Sequence, residues 1–214
     1  MMKRFVKQTL KRKLLPIMGA VILLLSGCVN LTQPYQNINY YTLEYPPAAL
    51  DNLARLPYTI QVEMFTINTT YDSNGILYRD GEYLRNSYVY HKWRDNPAEM
   101  LRGFMKRDLV ASDLFKAVLP RNSPATADFK LLGHVEEIYE MDGDRWHAVL
   151  TMHFTLFDLR KEGITEKIAF QKIYSQKKPC DEKSPVALVE AMSLAMADVS
   201  RQVITDIHKQ MELS

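Results

Sequence analysis

Trp146-His147-Ala148-Val149-Leu150-Thr151-Met152-His153-Phe154-Thr155-Leu156-Phe157-Asp158 decides the fold class. Ala148, Leu150, Met152, Phe154 and Leu156 fall on one face of an extended chain, and His147, Thr151, His153 and Thr155 on the other. A period of two with one apolar face is the mark of a half-buried strand. Turn signals stand on both sides, Asp142-Gly143-Asp144 before it and Lys161-Glu162-Gly163 after it. Beyond them, residues 129–139 and 167–176 are again β-prone, so residues 129–176 are predicted to form a meander of three antiparallel strands.

The same reading extends to the N-terminal half. Residues 39–43 are rich in β-prone residues and stop at Pro46-Pro47, and Tyr58, Ile60, Val62 and Met64 alternate with polar neighbours. Asn74-Gly75 turns the chain, and Asp80-Gly81 closes a hairpin between residues 76–79 and 83–90. Asn96-Pro97-Ala98-Glu99 is a helix start, with Asn96 as cap, Pro97 at the first helical position and Glu99 placed to complete a capping box. Leu101, Phe104, Met105 and Leu109 then recur at helical spacing, facing the sheet. Residues 115–119 form a strand ending at Pro120. Ser184-Pro185 opens a long amphipathic helix to about residue 211, with Val189, Met192, Met196, Val199, Val203 and Ile207 on its apolar face. Strands, helix, strands, helix predicts a single α+β domain, a mainly antiparallel sheet with two helices packed on it.

The first 27 residues are set apart from this domain. Six basic residues between Lys3 and Lys13 precede an apolar run from 14 to 25. Those 12 residues make a helix of about 18 Å, too short for a hydrocarbon core of ~30 Å. A basic n-region, an apolar h-region and small residues ahead of a cleavage point define a secretory signal. Leu25-Ser26-Gly27-Cys28 resembles the lipobox of bacterial lipoproteins. That resemblance implies a diacylglycerol on the Cys28 sulfur, cleavage before Cys28, and an N-acyl chain such as palmitate on the new amine. Several acyl chains hold a protein on a membrane essentially permanently, at about 0.8 kcal/mol per buried CH₂. The chain therefore divides into a lipoprotein signal peptide (1–27), an acylated Cys and flexible polar tether (28–39), and the α+β domain (40–214). Val29 stands where Asp marks inner-membrane retention in enteric bacteria, which favours the periplasmic face of the outer membrane over the inner membrane.

Removing six basic residues from the 27 Lys and Arg leaves 21 against 25 Asp and Glu, a net charge of −4 where the full sequence has +2. No basic stripe remains for nucleic acid. With Cys28 acylated, Cys180 has no partner for an intramolecular disulfide. His147 and His153 lie six residues apart, roughly 20 Å along a strand, so they cannot share a metal ion within one chain. No nucleophile elbow, zinc-protease motif, phosphate loop or dinucleotide fingerprint occurs in the sequence. The sequence is thus read as that of a non-enzyme without a cofactor beyond its covalent lipid. Tyr78, Arg79, Tyr88 and Trp93 are candidates for binding a protein partner, since Tyr, Trp and Arg concentrate interface energy. Cross-strand pairing within the hairpin is the competing explanation for them.

Tyr40-Tyr41-Thr42-Leu43 behind a lipobox, Ile76-Leu77-Tyr78-Arg79, Tyr88 through His91-Lys92-Trp93, then Pro97, Leu101, Leu109 and Phe115-Lys116-Ala117-Val118 resemble the ABC-type transport auxiliary lipoprotein family, including its PqiC-like members. The pattern spans most of the chain after Tyr40. Arg94-Asp95-Asn96 departs from it, standing where the family usually has a small residue. The resemblance implies an outer-membrane accessory lipoprotein that meets an Mce-domain protein of an ABC-type system carrying lipid or another hydrophobic compound, with a homo-oligomer compatible with that role. It implies no catalytic residues. Two alternatives stand beside it: a lipoprotein that itself binds a lipid or small ligand between sheet and helices, and a structural lipoprotein of envelope assembly.

Overall fold

The computed structural model describes residues 36–47, 50, 53–163 and 165–213. The signal segment, Cys28 and most of the tether lie outside the described residues. From Asn37 onward the chain is one compact unit. Its elements are β1 (Asn39–Tyr41), β2 (Leu56–Val62), β3 (Thr66–Ile67), β4 (Gly75–Asp80), β5 (Leu84–Trp93), α1 (Pro97–Ala111), β6 (Phe115–Leu119), β7 (Phe129–Met141), β8 (His147–Asp158), β9 (Ile168–Pro179) and α2 (Pro185–Glu212).

Strand β7 is the spine. One of its edges pairs antiparallel with β8 along nearly its whole length, and β8 pairs antiparallel with β9. The other edge is divided among three strands, all parallel to it: β2 against residues 129–131, β3 against His134 and Val135, and β4 against Glu140 and Met141. The sheet forks there, one branch running on from β2 to β6 and the other from β4 through β5 to β1. Both helices are laid on this sheet, α2 chiefly over β8 and β9 and α1 over β6 and β7.

Alternation along β8 is as the sequence implies: Ala148, Leu150, Met152, Phe154 and Leu156 are fully buried. They share one core with Leu188, Met192, Met196, Val199, Val203 and Ile207 of α2, all fully buried and spaced by three or four residues. Each such side chain contributes about 1.5–3 kcal/mol when taken out of water. Around this core, Asp206 accepts from Tyr174 Oη at 2.7 Å and Lys172 Nζ at 2.6 Å, and Lys178 pairs with Asp198, joining β9 to α2. Gly133 serves a close approach: a Cβ there would stand 2.6 Å from the Phe65 ring, which meets Phe154 edge-on.

Three expectations need correction. The sheet is mixed, since among the described residues five of its eight strand pairings are parallel and the β4–β5, β7–β8 and β8–β9 pairings are antiparallel. Hairpins are encoded by short turns, whereas parallel pairs form between strands separated by long crossovers, on which local periodicity is silent. The helix α1 starts as expected, Asn96 Oδ1 accepting from the Ala98 amide at 3.0 Å, yet Glu99 turns its carboxylate to Arg102, 2.7 Å away, instead of back to the cap. Phe104 is only half-buried; Leu101, Met105 and Leu109 fill the face toward the sheet.

Candidate functional site

The β4–β5 hairpin carries three of the four candidate side chains in half-exposed positions. Its turn is made by Gly81 at φ 70°, a conformation that suits glycine. Arg79 staples that turn, donating from Nε to the Gly81 carbonyl at 3.1 Å and from Nη2 to that of Glu82 at 3.1 Å. Its third contact, Nη1 to Tyr139 Oη at 3.3 Å, ties the hairpin to the end of β7.

Next to the turn the ladder is regular, but it breaks farther along. Leu77 opposes Ser87 while Gly75 opposes Lys92, so β5 takes five steps where β4 takes two. Tyr88, Val89, Tyr90 and His91 fill that bulge. Such bulges re-aim side chains. Here the Tyr88 hydroxyl is sent to Glu140, lying 2.8 and 3.0 Å from the two carboxylate oxygens and donating to them. Its ring lies 4.9 Å from that of Tyr78 and 5.8 Å from His91, whose Nδ1 is 2.9 Å from Tyr41 Oη. Glu140 is 1% exposed, and burial pushes its carboxyl up to about 7, with Asp142 adding to the shift and the Tyr88 hydrogen bond opposing it. Burial and the neighbouring Glu140 raise the Tyr88 phenol well above its ordinary range.

Tyr78 and Tyr88 thus share one face of the hairpin, and Arg79 works against Tyr139. Trp93 is apart from all three, 2% exposed in the core at the end of β5. The four side chains do not form one continuous surface. Leu84 is half-exposed, and its neighbour Tyr83 is 90% exposed. Tyr40, Val89 and Tyr90 are also exposed, and none of them is among the four candidates. The signal for Tyr83 is the Asp80-Gly81 turn two residues before it; the bulge that exposes Val89 has no local signature.

A groove of about 360 Å³ runs beside α1, lined by Thr42, Asp95, Glu99, Met100, Gly103, Phe104 and Arg107. Its wall is set by buried Asp108, which accepts from Tyr45 Oη at 2.8 Å and from Arg107 Nε and Nη2 at 2.9 and 2.7 Å. Arg107 lies over the rings of Tyr45 and Phe104, at 4.3 and 4.6 Å. This is a satisfied network that fixes side chains.

Elsewhere, His153 pairs across the sheet with His134, ring centroids 6.1 Å apart, and Glu136 reaches both imidazoles at 3.4 and 4.0 Å. Among the described residues no group of three or more His, Cys, Asp or Glu is placed to hold a metal ion. Cys180 is a buried free thiol, pushed up to about 11 by burial.

The hairpin fastened to a helix-backed mixed sheet defines an α+β domain. Residues 41–204 match the model of the ABC-type transport auxiliary lipoprotein component, and the chain belongs to that family. Three solved structures share the fold. A protein from Xanthomonas campestris is 16% identical with a TM-score of 0.71, covering 81% of this chain and 98% of its own. An uncharacterized protein is 14% identical with a TM-score of 0.64, covering 80% and 99%. A hypothetical protein from Chlamydia trachomatis is 12% identical with a TM-score of 0.52, covering 74% and 100%. A search of curated proteins finds no match to the sequence.

Proposed function

We propose that the protein is anchored through acylated Cys28 to the periplasmic face of the outer membrane and serves an Mce-type lipid-transport system by protein–protein contact. The observation that carries this reading is the family match across residues 41–204, which takes in β2 to β9, the hairpin included, and the first 20 of the 28 residues of α2. The six basic residues and apolar run ahead of Leu25-Ser26-Gly27-Cys28, and Val29 after it, support the anchor and its membrane. The half-exposed Tyr78 and Tyr88 are the contact candidates, held in place by Glu140.

The layer between sheet and helices is filled by Leu101, Met105, Met192 and Met196, all fully buried, which leaves direct lipid binding there without support. The test is in vivo crosslinking in intact envelopes followed by capture of the lipidated protein. Recovery of an Mce-domain protein is expected, with yield lowered in Tyr78→Ala or Tyr88→Ala at unchanged protein level. Recovery of other envelope proteins with no Mce-domain protein among them refutes the assignment.

A further inference from the structure

We propose that the edge of the sheet formed by β1 and the β4–β5 hairpin lies against the phospholipid headgroups of the membrane that holds the anchor. The inference rests on acylation of Cys28 and adds an orientation to it. Its first support is a line of exposed apolar and aromatic side chains on this margin. Tyr83 at the hairpin turn is 90% exposed, Leu84 51%, Val89 and Tyr90 in the bulge 69% and 42%, and Tyr40 on the edge strand 60%. Tyr40 opposes Lys92, two residues from Tyr90, so the edge strand continues the line begun by the hairpin. Tyrosines with an apolar ring and a polar tip are the residues that settle at a bilayer interface. Arg85 and Lys92 lie in the same strand, and no acidic residue falls between Leu84 and Trp93; Arg85 donates from Nη1 to the Glu82 carbonyl at 3.3 Å, Lys92 is half-exposed as a cation for phosphate, and Asp80 and Glu82 flank the turn.

The second support is length. From Cys28 to Asn39, the first residue of β1, is eleven residues. Eleven residues fully extended span at most about 40 Å. A domain of this size has a radius of gyration of about 16 Å and a radius near 20 Å, so a chain must run about 60 Å around it to bring the opposite side to the bilayer. The segment cannot do that. Its length keeps the side opposite β1 away from the bilayer, and the exposed tyrosines are on the β1 margin, which its reach allows to face the membrane.

The experiment uses the mature acylated protein in nanodiscs of phosphatidylethanolamine and phosphatidylglycerol carrying a headgroup nitroxide. A fluorophore is placed by Tyr83→Cys, Val89→Cys or Leu194→Cys, the last being 59% exposed on α2, with buried Cys180 left unmodified. Quenching at 83 and 89 is expected to exceed that at 194 by at least twofold, and Val89→Glu is expected to reduce quenching at 83. Equal quenching at the three positions, or stronger quenching at 194, overturns the orientation while leaving the anchor intact. Labels at 83 and 89 that escape the nitroxide and respond instead to protein dilution identify a second copy as occupant and also overturn it. Protein that does not travel with the discs overturns the anchor and the orientation together.

Discussion

Replacing Glu140 by glutamine separates the charge of this buried carboxyl from its shape. In the folded protein the group is raised from 4.5 to about 7, chiefly by burial. At 1.36 kcal/mol for each pH unit, that displacement corresponds to about 3 kcal/mol. The folded form binds the proton more tightly than the unfolded form, so stability from this group is fully present below pH 4.5 and is lost as pH rises through 7. The glutamine amide keeps an oxygen for the Tyr88 hydroxyl and cannot ionise. Glu140→Gln is therefore expected to exceed wild type by less than about 1 kcal/mol at pH 5 and by about 3 kcal/mol at pH 8, the latter a rise of roughly 6–12 °C in Tm for a chain of this length. Urea denaturation from pH 5 to 8 gives the difference between the two proteins, in which titrations common to both cancel. A difference that stays constant across this range, or that grows toward low pH, refutes the reasoning.

Leu101→Ala, at a fully buried position, should cost about 2–5 kcal/mol, whereas Phe104→Ala, half-buried under Arg107, should cost less; equal losses in denaturant unfolding would place both side chains in the same environment. Gly133→Ala should destabilise by more than about 1 kcal/mol because the new methyl meets the Phe65 ring at 2.6 Å, and the double variant Gly133→Ala/Phe65→Leu should recover part of that loss, as read by Tm. Asp158, 2% exposed, is held below the ordinary carboxylate range by Arg160, whose Nη2 is 2.7 Å away, so its stabilisation is present above the unfolded value near 3.8 and is lost as pH falls through the lower folded value. Arg160→Met should remove that acid dependence, which acid titration of stability measures. Cys28→Ala should move the protein out of the membrane fraction; fatty-acid labelling that persists in this variant would refute the anchor.

What is legible in the sequence is local. The β8 alternation, the Asp80-Gly81 turn, the Asn96 and Ser184 caps and the apolar stripe of α2 are all written close to where they act. The Ser184 hydroxyl accepts from the Ala187 amide at 3.2 Å, as its place before Pro185 implies. The parallel partners of β7 come from residues 60–80, far earlier in the chain, and no residue in either stretch names the other. Trp93 reads as surface because it closes an exposed hairpin, yet β5 crosses from solvent into the core between Tyr90 and Trp93. Glu140 gives no sign in the sequence, since a single acidic residue in a strand is ordinarily solvated; only the bulge that delivers Tyr88 to it gives it a partner.

The divided edge of β7 also orders events in time. The branches that hold β1 to β6 meet through residues 129–141, so during synthesis, which runs from the N-terminus, those six strands arrive before the strand on which they register. Until that strand follows, β4–β5 can close locally and β2 can pair with β6, whereas the edges of β2, β3 and β4 that register on β7 stay open. A high share of such distant pairings slows folding, and the interval leaves apolar strands open to association. A chain built this way carries those open edges until residue 141 has been made, and its own turns alone do not close them.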